Sequence, residues 1–161
     1  MPLARIPLPL AFLLLAAIAC VPTRPSPVQL GIRWTEDEAS LEIRYGLCEG
    51  ERIESVEVVA PRGFVINDGN DRVIWRITSS GSTVTSIRVG SPPSGFRETV
   101  PFTPGSIQMA ERLAVIVDTS QTQASVIFEG QDVERERILT DEGPIEPASF
   151  EARARETCLD D

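Results

Sequence analysis

From Val28 onward the apolar residues recur at every second position, the period of strands that bury one face. Leu30, Ile32 and Trp34 alternate with Gly31 and Arg33, and Leu41, Ile43 and Tyr45 alternate with Glu42 and Arg44. Val56 and Val58 alternate with Ser55 and Glu57, with Ile53 at the start of the same strand. Val73, Trp75 and Ile77 make a fourth stretch, alternating with Ile74 and Arg76. Thr85, Ile87 and Val89 follow, then Leu113, Val115 and Val117, then Val126 and Phe128. A short edge strand is expected between Phe96 and Phe102. Turn chemistry separates these stretches: Glu36-Asp37-Glu38, Cys48-Glu49-Gly50, Asn67-Asp68-Gly69-Asn70, Ser79-Ser80-Gly81, Asp118-Thr119-Ser120, and proline-bearing segments at 91–95 and 101–105.

Seven or eight short strands at this spacing predict an all-β fold, an antiparallel β-sandwich. By that pattern residues 28–129 resemble the immunoglobulin-like or fibronectin type III-like class, with a small β-barrel as the structural alternative. The tail changes period. Pro147 to Cys158 predicts a short C-terminal helix, with proline at its start and Glu151 four residues before Arg155. Phe150, Ala154 and Cys158 share one face of it, and laying that face on the sandwich would bring Cys158 to Cys48. Such a disulfide would close a loop of about 110 residues, contributing about 4–5 kcal/mol through lost unfolded-state entropy. The alternative is a pair of free thiols.

The first 27 residues follow a different logic. Arg5 supplies a positive charge, Ile6 to Ala19 an apolar run, and Ala17-Ile18-Ala19 a small-residue processing site before Cys20. This reads as a signal peptide over residues 1–19. The 14-residue run spans about 21 Å as a helix, against about 30 Å of hydrocarbon core, so it is short for a membrane span. Ala16 to Cys20 resembles the bacterial lipobox, although Ala17 stands where that motif usually has leucine. The resemblance implies acylation at Cys20 and a cell-membrane lipid anchor facing outside the cytoplasm; plain secretion is the alternative. Cysteine parity agrees with it, since lipidating Cys20 leaves Cys48 and Cys158 as a pair. Residues 20–27, with prolines at 22, 25 and 27, form a stiff proline-rich tether before the domain at 28–161.

Charge and absences narrow the functions. Loss of residues 1–19 removes Arg5 alone, leaving 14 arginines against 24 acidic residues, a formal charge of −10. Such a surface does not seek nucleic acid or anionic lipid by bulk attraction. The chain has no histidine and no lysine. That removes histidine-based nucleophilic triads and zinc sites, Schiff-base chemistry and the phosphate-binding lysine of P-loops. No cofactor is expected, and no metal.

Four stretches still ask for a chemical reading. Val115 to Ser120 resembles the strand-then-Asp-Thr of aspartic proteases, but Ser120 replaces the glycine and a single copy would need a dimer. Its plainer reading is a strand ending in a polar turn. Residues 67–71, Asn-Asp-Gly-Asn-Asp, could offer oxygens to calcium but lack the EF-hand spacing, and hairpin loops favour the same residues. Glu36, Asp37 and Glu38, and the run Glu134 to Arg137, are ordinary solvated charge unless two carboxylates are held in a glycosidase geometry. Trp34, Trp75 and Tyr45 could form a ligand platform, but their alternation places the tryptophans in the core. No catalytic residue is assigned. The expectation is a non-enzymatic envelope lipoprotein or secreted binding or structural module whose partner is an envelope protein or glycan. The alternatives are a carboxylate-dependent hydrolase of envelope glycan and a secreted inhibitor.

Overall fold

A computed structural model describes residues 29–36, 40–63, 66, 69–108 and 111–158. The signal segment, the tether with Cys20, Asp37, Glu38, Asn67 and Asp68 therefore lie outside the described residues. Among the described residues, ten strands form two antiparallel five-stranded sheets. The first has the order β10-β9-β1-β2-β5: β1 Leu30–Trp34, β2 Leu41–Tyr45, β5 Ser86–Arg88, β9 Ile138–Thr140 and β10 Gly143–Ile145. The second has the order β6-β4-β3-β7-β8: β3 Ile53–Ala60, β4 Arg72–Ser82, β6 Phe96–Val100, β7 Arg112–Thr119 and β8 Gln123–Glu129. One helix, α1, follows at Pro147–Thr157. No described helix is long and apolar enough to cross a membrane.

The alternating residues fill the space between the sheets. Ile32, Leu41, Ile43 and Ile87 meet Val56, Val58, Trp75, Ile77, Leu113, Val115 and Val117, all essentially inaccessible to water. The sandwich expected from the pattern is present, with all eight anticipated strands.

Two features depart from simple alternation. β9 and β10 are additional strands, each of three residues, in a stretch whose visible signals were charge and Pro144. They add to the free side of β1 through Ile32 opposite Leu139. The second departure is bulging of β3 and of its partner β4. A register shift between Ile53 and Ser55 lets Ile53 share the core with Val56, although their spacing is odd. Another shift, at Val58/Val59, puts Val58 opposite Trp75 and Val59 opposite Val73, leaving Ile74 as the extra residue. Val73 thus leaves the face of Trp75. It joins Val59, Ala114, Ile116 and Ile66 in a small apolar cluster distinct from the main core.

Helix α1 lies on the outer face of the first sheet. Glycine makes the close approach possible at two points. A Cβ on Gly31 would fall 3.1 Å from Phe150 Cε2 of the helix, and closer still to Ile138 of β9; one on Gly46 would fall 2.3 Å from Ala154 Cβ. Phe150 packs with Ile138 and Ile145 in a second small core, so the β9–β10 hairpin and α1 support each other. Cys158 ends this helix and is disulfide-bonded to Cys48.

Candidate binding groove beside the disulfide

At the end of β2 the chain turns through Cys48-Glu49-Gly50-Glu51, closed by the Glu51 N–H donating to the Cys48 carbonyl at 3.1 Å. Gly50 has φ +77°, the left-handed value a type II turn requires at its third residue. Glu51 is only 3% exposed. Its Oε1 accepts from Thr119 Oγ1 at 2.6 Å and from the Tyr45 phenol at 3.1 Å, while Oε2 accepts from the Cys48 N–H at 2.9 Å. This carboxyl ties β2, the turn and the β7–β8 hairpin together. Burial, the neighbouring Glu51 charge and the hydrogen bond to it push the Tyr45 phenol well above its ordinary pKa. The phenol stays protonated and structural.

Between this turn and α1 lies an open groove of about 490 Å³. That volume falls within the 300–1,000 Å³ typical of small-ligand sites. Residues 44–49 and Thr85 form one wall; Phe150, Glu151, Ala154, Arg155 and Cys158 form the other. Leu47, Phe150, Ala154 and the disulfide supply apolar surface. Charge sits on the rim. Arg44 is held by Glu42 at 3.1 Å and by Glu151 at 3.2 Å. Arg155, in the last turn of α1, is exposed. The cysteines are oxidised and Glu151 is engaged with Arg44, so the lining offers apolar contact and charge.

The groove also sits beside Gln29, the first described residue. The Gln29 carbonyl accepts from the Gly46 N–H at 2.7 Å, and Gln29 Nε2 lies 3.3 Å from Cys48 Sγ. Beneath its outer rim, Glu42 carries a charge network. Burial raises its carboxyl pKa, but hydrogen bonds from Ser86, Arg33 and Arg44 outweigh that effect and hold it below the usual carboxylate value.

The other candidates are scattered. Asp118 is on the second sheet, where Ser55 Oγ donates to its Oδ2 at 2.6 Å and Gln123 Nε2 to its Oδ1. Thr119 caps the hairpin by accepting from the N–H of Gln121 and of Thr122. Asp118-Thr119-Ser120 is thus a strand end and turn. Of the 67–71 loop, Asp71 accepts from the Arg62 N–H at 3.3 Å. Among the described residues no three His, Cys, Asp or Glu side chains cluster as a metal site. Glu36 is exposed. Glu134 pairs loosely with Arg137 at 3.8 Å. Trp75 and Tyr45 are core residues, and Trp34 packs against the core with its indole N–H donating to the Gly130 carbonyl. They form no platform.

Sequence reasoning found Cys48 and Cys158 but missed Gly46, Glu51 and Arg155 as parts of one place. A glycine ending a strand two residues before a cysteine was the only available signal; Glu51 looked like any loop acid. Compared with family models, curated proteins and solved structures, the chain matches none.

Proposed function

We propose that the protein is a non-enzymatic binding module of the cell envelope, tethered through lipid on Cys20, whose groove between α1 and the Cys48 turn receives an envelope component. The observation that carries this reading is that two residues lining the groove, Gly46 and Cys48, contact Gln29, which follows the expected tether closely in sequence. Gln29 lies nine positions after Cys20, a reach of at most about 32 Å. A lipid on Cys20 would hold the groove close above the membrane, while the surplus of acidic residues keeps the rest of the surface off anionic headgroups. The strand order supports the immunoglobulin-like reading. β1-β2-β5 over β3-β7-β8 follows the A-B-E and C-F-G arrangement, with β4 and β6 added beside β3 and β9 and β10 beside β1.

The test is site-directed photo-cross-linking in intact cells, with the reactive residue at position 155 in the groove or at position 62 beyond the far end of β3. A membrane-fraction product formed from 155 and not from 62 is the expected result. Equal labelling from both sites, or hydrolysis of envelope glycan by the purified chain, would overturn the reading.

A further inference from the structure

We infer that β8 is a self-association edge, through which two copies of this chain pair in antiparallel fashion into one continuous ten-stranded sheet. Every sheet edge offers unpaired backbone groups, and proteins blunt such edges with shortness, proline, charge or bulges. Three of the four edges here are blunted. β5 has three residues and bends back through a bridge from Arg88 to Ser91. β10 has three residues, one of them Pro144. β6 carries Arg97 and Glu98, bulges opposite Arg76/Ile77 and runs into Pro101.

β8 has none of these devices. Gln123-Ala124-Ser125-Val126-Ile127-Phe128-Glu129 runs seven residues without proline, glycine or an internal charge. It keeps unbroken register with β7 from Gln123 opposite Asp118 to Glu129 opposite Arg112. Among the described residues, β7 is its only strand partner.

Register shows which backbone groups face outward. The hairpin closes with the Thr119 N–H donating to the Thr122 carbonyl at 2.8 Å. Hydrogen-bonded pairs alternate from there, so Ala124, Val126 and Phe128 bond to β7. Gln123, Ser125, Ile127 and Glu129 turn their N–H and C=O groups to the open edge.

Side chains on the outer face point the same way. Val73, Val59, Ala114 and Ile127 are paired in succession across β4, β3, β7 and β8. Val59 and Ala114 are covered, at 2% and 0% exposure, but the row ends at Ile127, 42% exposed and the one exposed large hydrophobic among the described residues.

The occupant follows from self-complementarity. Antiparallel pairing of two β8 strands about Val126 sets Ser125 against Ile127 and Gln123 against Glu129. No like charges oppose each other. All four outward residues find backbone partners, giving about eight hydrogen bonds. The two Ile127 side chains become diagonal neighbours at about 7–8 Å and extend the apolar row across the twofold axis.

Sedimentation velocity of the full-length chain in density-matched detergent, across a wide concentration range, tests this. Ser125→Pro removes an outward N–H that β7 does not use, at an edge position where proline is tolerated. Ile127→Lys sets two like charges as diagonal neighbours across the twofold axis. The native chain is expected to dimerise, and each variant to weaken its dimer by at least about tenfold at unchanged monomer circular dichroism. A native chain that stays monomeric, or either folded variant dimerising as tightly as the native chain, would overturn the inference.

Discussion

Gly46 shows how little of a site one residue type reveals by itself. In sequence it is one small residue after a strand; in the fold its missing Cβ is the space that Ala154 occupies. Gly46→Ala forces two methyl groups into one volume, and either the helix or the end of β2 must move. The expected cost is about 1–3 kcal/mol in denaturant unfolding, the usual range for overpacking. Ala154→Gly empties the same space from the helix side and costs about 1 kcal/mol by propensity. Combining the two should recover part of the Gly46→Ala loss. A double variant whose losses simply add would show that the two positions do not meet. Glu51 was equally silent, because burial of an acid is decided by its three donors, and Thr119 lies 68 residues away. The two cysteines, by contrast, were legible, since parity and the helical face of Cys158 constrained them.

At the scale of elements, the strands were readable because each buries one face, and period two is the direct imprint of that. β9 and β10 were not, because three residues are too few to display a period. The bulges in β3 and β4 were hidden for the opposite reason. They change the phase of the alternation, and Val73 looked as inward as Trp75. Polar faces were the least legible, since Glu42 on β2 reads as a solvated acid until Arg33, Arg44 and Ser86 are seen around it. Its depressed pKa has a signed consequence. A carboxyl whose folded pKa is below its unfolded value stabilises the fold above the unfolded pKa, near 4.5. That stabilisation disappears as pH falls from there through the folded value. Glu42→Gln should therefore be less stable than the native chain at pH 7, with the gap closing under acid. Urea titrations at both pH values measure it, and a gap that widens in acid would contradict the network.

For the whole molecule, the disulfide joins the turn after β2 to the end of α1, with a sequence separation of 110 residues. Most of the described β-structure lies between the cysteines, including all of the second sheet and the β9–β10 hairpin. Crosslinking such a loop removes about 4–5 kcal/mol of unfolded-state freedom by chain entropy. The core itself does not depend on the bond: its two sheets are closed by Trp75, Leu113 and their neighbours. Reduction should therefore separate two effects. Cys48→Ser with Cys158→Ser should lower global unfolding free energy by up to that amount while far-UV circular dichroism keeps its β signature. Locally, α1 retains Phe150 and Ala154 against Ile138 and Gly46 but loses its covalent end. Amide exchange over residues 147–157 should then accelerate more than exchange in β3 and β7. Because Cys158 and Arg155 belong to one groove wall, the same variant should also lose the cross-link formed from position 155. Uniform acceleration across helix and core would mean that the bond stabilises the sandwich as a unit; retention of the cross-link would mean that the groove is shaped without it.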